Sequence, residues 1–174
     1  MEDGSISRTK ITVSSTHPNH KKNWGRIYCS KGSWTPEHDS GNEWFQVDFV
    51  PDVKLILHIA TQGNGNIWWW VNTYYVMYKT GGDALQEYKE NNQRMIFQGN
   101  SNKDDVVTNK LKNPFQADTV RIVPTTFSGR IALRIELYGC DVIIKNDNDN
   151  ADDDDDDDDA DDQQVAPSSL PPGY

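Results

Sequence analysis

The sequence predicts an all-β domain, an antiparallel β-sandwich or jelly roll, with an acidic tail behind it. Three observations carry this. Residues 130–138 (RIALRIELY) alternate strictly, with Ile131, Leu133, Ile135 and Leu137 on one face and Arg130, Ala132, Arg134, Glu136 and Tyr138 on the other. That period of two belongs to a strand packed on one side. Other short aromatic and β-branched runs are separated by Gly, Asn, Pro and Asp clusters, with no helical period between them. After Cys140 the composition then turns abruptly polar and acidic.

In order along the chain, residues 44–49 (WFQVDF) read as a strand closed by Pro51 and Asp52. Residues 55–61 form the next, ended by the turn cluster QGNGN at 62–66. Residues 71–79 (VNTYYVMYK) follow and stop at Gly81, Gly82 and Asp83. Residues 120–123 make a short strand expected to end at Pro124, and residues 130–138 make the last. No internal repeat is visible.

The net charge of −10 divides unevenly. Residues 141–174 carry thirteen Asp against one Lys, whereas residues 1–140 carry 16 Lys/Arg against 14 Asp/Glu. A body so nearly neutral lacks the positive excess of a nucleic-acid binder, and the tail repels phosphate. Adjacent carboxylates with nothing apolar to bury cannot offset their ordering entropy, so residues 142–174 are expected to be disordered and the domain to occupy residues 1–141. No apolar run reaches the length of a membrane span, and MEDGSISRTK has no signal-peptide core. Work outside the cell therefore implies a signal upstream in a longer chain, or one that has been removed.

Nothing points to catalysis. GxSxG, HExxH, GxxxxGK and CxxC are absent. His17 and His20 share an HxxH spacing, but Pro18 argues against a helix and no third ligand is fixed, so no metal site is assigned. The Asp run lacks the glycine turn of a calcium loop, which leaves only weak, diffuse calcium binding and no cofactor.

Several blocks resemble one family. MEDGSISRTKITVSS, Asn23-Trp24, NEWFQVDF (42–49), ATQG (60–63), MIFQGNSNKDD (95–105) and Phe127 through RIALRIELYGC occur in order and with sensible spacing. They are similar to the coagulation factor V/VIII C-type, or discoidin, domains over roughly residues 1–141. The resemblance implies a galactose-binding-like sandwich that is not an enzyme. It also implies that Asp48 and Arg134 are buried structural partners under an end of the barrel, and that Cys140 is the closing cysteine, whose usual partner precedes the MEDG-like segment. Cys29 stands where the family tends to place a buried apolar residue. A buried free thiol or a bridge to Cys140 are both open, the free thiol being the expectation. Phe127-Ser128 replaces a frequent Trp-His pair. His58, alone within an apolar strand, reads as a core histidine.

In that family ligands meet loops at one end of the sandwich. The corresponding regions are residues 17–22 (HPNHKK), 64–70 (NGNIWWW) and 90–94. They single out His17, His20, Lys21, Lys22, Ile67, Trp68, Trp69 and Arg94 as candidate ligand contacts. Three successive Trp cannot all enter a core, because side chains alternate along a strand. A Trp with its apolar body and wet N–H suits a sugar face or a membrane interface. The first reading is thus an extracellular adhesion or recognition module for a cell-surface glycan, a matrix protein or an anionic phospholipid. A second is an acidic matrix or biomineral-associated protein whose Asp run binds calcium. A third is the targeting module of a larger carbohydrate-active enzyme. The wholly polar first loop makes membrane insertion the weaker of the surface-binding modes.

Overall fold

The computed structural model describes residues 6–142. The expected disordered tail, beyond Val142, and residues 1–5 of the opening motif lie outside them. Among the described residues the strands are β1 (Ile11–Val13), β2 (Phe45–Asp48), β3 (Lys54–Gln62), β4 (Trp70–Lys79), β5 (Gln86–Glu87), β6 (Lys89–Glu90), β7 (Gln93–Arg94), β8 (Phe97–Gln98), β9 (Val107–Ala117), β10 (Thr119–Ser128) and β11 (Arg134–Asp141). The larger sheet runs β1-β2-β10-β4-β5, with β8 also on β4; the smaller runs β11-β3-β9; β6 and β7 form a hairpin. Every strand pairing is antiparallel.

Alternation places one apolar set from each sheet in a shared layer. Ile11, Phe45, Val47, Tyr74, Val76 and Ile122 of the larger sheet join Ile56, Ile59, Leu111, Phe115 and Ile135 of the smaller in one buried cluster. Aromatic contacts bind the layer: Tyr78 stacks on Phe115 with centroids 4.0 Å apart, and Tyr74 on Phe97 at 5.4 Å.

Three expectations about strands need correction. β10 does not end at Pro124 but runs to Ser128. Pro124 lies opposite Tyr74, and the register shifts directly after it, where a residue without an N–H cannot continue the ladder. β9 was not anticipated; its KLKNP core is the lysine and proline pattern of an edge strand rather than an apolar alternation. Pairing of the last strand starts only at Arg134, with Leu133 meeting Trp34 in an isolated bridge.

The apolar face of residues 131–137 is buried as expected at Ile131, Leu133 and Ile135, and half-buried at Leu137. Its other face is not solvated, for Ala132, Arg134 and Glu136 are also buried. Residues 25–34 run along this strand: Ile135 N–H donates to Gly25 O, Ile27 N–H to Ile135 O, and Trp34 and Leu133 exchange two bonds. The free sheet edge is thereby covered.

Both cysteines are free; Cys140 is exposed, and Cys29 is half-buried rather than fully buried. Asp48 and Arg134 are not partners. Asp48, half-buried, accepts from Thr12 Oγ1 at 3.2 Å and Gln46 Nε2 at 2.8 Å, at the end of the sandwich opposite Arg134. His58 is half-buried on β3.

Candidate functional site

The carboxyl end of β3, the start of β4 and the start of β11 lie together, and five loops converge there. The loop at residues 64–70 is built around Asn64, which is 1% exposed. Its Oδ1 accepts from Asn66 N–H at 3.2 Å and Ile67 N–H at 3.1 Å, its Nδ2 donates to Ser33 Oγ at 2.8 Å, and its N–H donates to Trp69 O at 2.9 Å. Gly65 turns at φ +82°, with the Arg134 guanidinium packed beneath it where a side chain would crowd.

Arg134 is the central tie. Its Nε donates to Gly63 O at 2.5 Å, Nη1 to Cys29 O at 3.1 Å and Nη2 to Lys103 O at 3.1 Å, joining three loops. Burial holds its pKa below the ordinary arginine value. The charge is thus met by backbone carbonyls, not by the carboxylate the sequence suggested. Lys103 adds a bond from Nζ to Gly65 O at 2.7 Å and pairs with Asp104.

The three tryptophans separate as alternation requires. Trp68 is 69% exposed and Ile67 is 38% exposed, whereas Trp69 and Trp70 are half-buried. The Trp68 ring lies 5.7 Å from Lys103 Nζ and meets Trp70 edge-on. Trp69 packs on Gly129, with the Arg130 guanidinium 5.8 Å from its ring. Arg130 is in turn held by Asp39 Oδ2 at 2.7 Å and by the Glu37 and Pro36 carbonyls.

The first loop is less of a contact surface than its composition suggests. His20 is 9% exposed, its Nδ1 is 3.2 Å from Ser33 O, and its ring meets Trp24 and Trp69, each at 5.9 Å. His17 is half-buried at 5.3 Å from His20. Burial pushes the His20 pKa down, and His17 and Arg130 add to the shift, while the bond to Ser33 opposes it. Lys22 spends its ammonium on Ile11 O at 2.6 Å, and Lys21 alone of the pair is exposed. No metal-binding group of three or more His, Cys, Asp or Glu occurs among the described residues.

Arg94 does not join this cluster. Its contacts are on the β6-β7 hairpin side, where it pairs with Glu87 and lies 4.3 Å over Tyr75, five positions up β4 from Trp70. Tyr28, which the sequence did not single out, does join it. It is 61% exposed at φ 59°, a backbone region few side chains adopt, and its N–H donates to the buried Gln62 Oε1 at 2.9 Å. Asn66 Nδ2 to Ser30 O at 3.3 Å links its loop to that of Trp68. The opposite end of the sandwich holds a cleft of about 390 Å³ lined by Lys10, Asp48, Lys54, Leu137, Cys140 and Asp141 among others.

The fold is an antiparallel sandwich with an exposed aromatic, Trp68, on loops tied by Asn64 and Arg134. Comparison with known proteins gives its family: residues 10–137 match the F5/8 type C domain, and the chain belongs to that family, the discoidin domains. It is 35% identical to human Neuropilin-2 over 153 residues and 35% identical to mouse Neuropilin-1 over 150. Those matches cover 82% of this chain and 16% of each relative, so the chain spans about a sixth of the curated relatives it matches. Recombinant discoidin II of Dictyostelium discoideum is similar in structure, with a TM-score of 0.70 and 25% identity over 76% of this chain and 56% of that one. Domains of this family are non-catalytic modules for carbohydrate or phospholipid. No helix among the described residues is long and apolar enough to cross a membrane.

Proposed function

We propose that the domain is a recognition module for glycans at a cell surface or in the matrix, contacted by the loops at residues 17–24, 28–31, 64–69 and 102–105. The observation that supports this most is the Trp68 ring, exposed on a loop that Asn64 and Arg134 hold rigid. An aromatic face fixed before binding stacks on a sugar ring at little ordering cost. Burying about 100 Å² of that face contributes about 2.5 kcal/mol, which suits weak single-site binding strengthened by several copies. Membrane insertion is the less favoured mode, since the exposed Ile67 and Trp68 lie on one loop and the first loop, residues 17–22, is polar. The family relatives are extracellular or ectodomain modules, which supports an extracellular setting. We assign the module to residues 1–141 and a separate tail to 142–174.

The test is a glycan array beside vesicles of phosphatidylcholine with and without phosphatidylserine, using the whole chain. Glycan signals abolished by Trp68→Ala are expected. Binding to phosphatidylserine vesicles alone, or to neither surface, would overturn the glycan reading.

A further inference from the structure

His20 sits where a ligand-contacting histidine does not belong: against the Trp69 ring, at 9% exposure. Its surroundings can be named group by group. Trp24 faces it from the turn Lys22–Trp24, His17 from its own loop, Ser33 O from residues 25–34, Trp69 from the 64–70 loop and Arg130 from the segment after β10. Asp39, the carboxylate that holds Arg130, is committed to Arg130 Nε at 2.7 Å and to Ile131 N–H at 2.9 Å.

Neutral His20 suits this environment, with Nδ1–H donating to Ser33 O. A proton on the second ring nitrogen puts a charge in a mostly buried site, beside a second imidazole and a guanidinium whose carboxylate is already committed. The neighbouring indole rings offset the cost of burying that charge only in part. His20 and Arg130 then carry like charge, with the imidazole centroid 5.9 Å and the guanidinium 5.8 Å from the centroid of the Trp69 ring. The half-buried Trp69 ring contacts both groups, and its displacement relieves that repulsion.

We propose that His20 is a positioning residue, a proton-sensitive prop under Trp69, whose protonation displaces the Trp69 ring and with it the 64–70 loop that carries Trp68, releasing the ligand in mildly acidic surroundings. Release of ligand rests on the glycan reading above; the displacement of Trp69 does not. Imidazole is the side chain suited to such a switch, since modest changes of surroundings move its charge across the range between neutral and acidic compartments.

The experiment uses the whole chain labelled with ¹⁵N, its Trp69 indole peak assigned with Trp69→Phe and followed from about pH 7.5 to about pH 5. The peak is expected to move with a midpoint below the ordinary imidazole value, and to stay still in His20→Gln, which keeps a donor for Ser33 O but takes no proton. A stationary peak in the unmodified chain, or equal movement in His20→Gln, overturns the proposal. Should that variant fail to fold, the His20 Cε1–H resonance replaces it: its midpoint must coincide with that of Trp69, and separate midpoints overturn the coupling. In parallel, glycan-array signals are expected to fall about fivefold or more on acidification in the unmodified chain and to persist in His20→Gln. Signals that persist in the unmodified chain overturn release. An array silent at both pH values removes the glycan reading, and the Trp69 peak still decides the switch.

Discussion

The buried guanidinium of Arg134 donates to the carbonyl of Cys29 at 3.1 Å, across 105 positions of sequence. The same group holds Gly63 O and Lys103 O, so one side chain sets the spacing of three loops.

Replacing it leaves those carbonyls buried without their donor. Arg134→Met is expected to lower stability by about 3 kcal/mol, measured by urea denaturation, and Arg134→Lys by less, because an ammonium reaches some of the three oxygens. Unchanged stability in Arg134→Met would show that the loops are held by other contacts.

The tryptophans should behave differently from one another. Trp68→Ala removes an exposed ring and is expected to change stability by less than about 0.5 kcal/mol while weakening ligand binding by more than about tenfold, or about 1.4 kcal/mol. Trp69→Ala removes the ring that seals His20 and Gly129, at a cost of about 2 kcal/mol or more in stability. Equal losses of stability in the two variants would contradict the exposures described above. Here the structure separates two residues that their sequence positions place on equal terms.

Lys103 beside Trp68 is paired with Asp104, whereas Lys21 is the exposed ammonium of the first loop. Lys21→Ala is expected to weaken binding to an anionic ligand only at low salt, because an exposed ammonium is screened. Lys22→Ala instead removes the bond to Ile11 O and should lower the melting temperature at any salt concentration. A salt-dependent binding loss in Lys22→Ala with no change in melting temperature would reverse these roles.

Stability should fall with acid through His20. Its folded pKa lies below the ordinary imidazole value of 6.5, so the unfolded chain takes up the proton first. The neutral histidine's contribution is complete above 6.5, diminishes as the pH drops below it, and is lost once the pH passes the folded pKa. Melting temperatures across this range should show that slope in the unmodified chain and a shallower one in His20→Gln; equal slopes would assign the acid sensitivity elsewhere.

The thiols differ in access. Cys140, exposed, should react with Ellman's reagent at once in the folded chain, and half-buried Cys29 more slowly, with two equivalents released on unfolding. Absence of free thiol in the unfolded, unreduced chain would show that the two are joined.

Much of the framework was legible because it rests on local alternation. β2, β3 and β4 fall within a residue or so of the runs read from aromatic and β-branched content. The crowding of Trp68, Trp69 and Trp70 correctly required at least one to leave the core. β9 was not legible because an edge strand carrying Lys110, Lys112 and Pro114 advertises no buried face. Nor could the role of Tyr28 be seen, since it depends on a positive φ and on Gln62, 34 positions away. Arg94 lies apart from the other candidates because the β6-β7 hairpin turns it toward Tyr75. Family position alone could not report that fold of the chain.

Ile6, where the described domain starts, and Asp141, at the close of β11, line the same cleft, at the end away from Trp68. With the proposed contact loops at the other end, the domain has a handle and a tip. A reporter, a surface tether or a repeated copy joined directly at Ile6 or Asp141 is attached at the handle, away from those loops. An array of such units on flexible linkers can present many tips to one target, the arrangement in which weak individual contacts add to firm attachment.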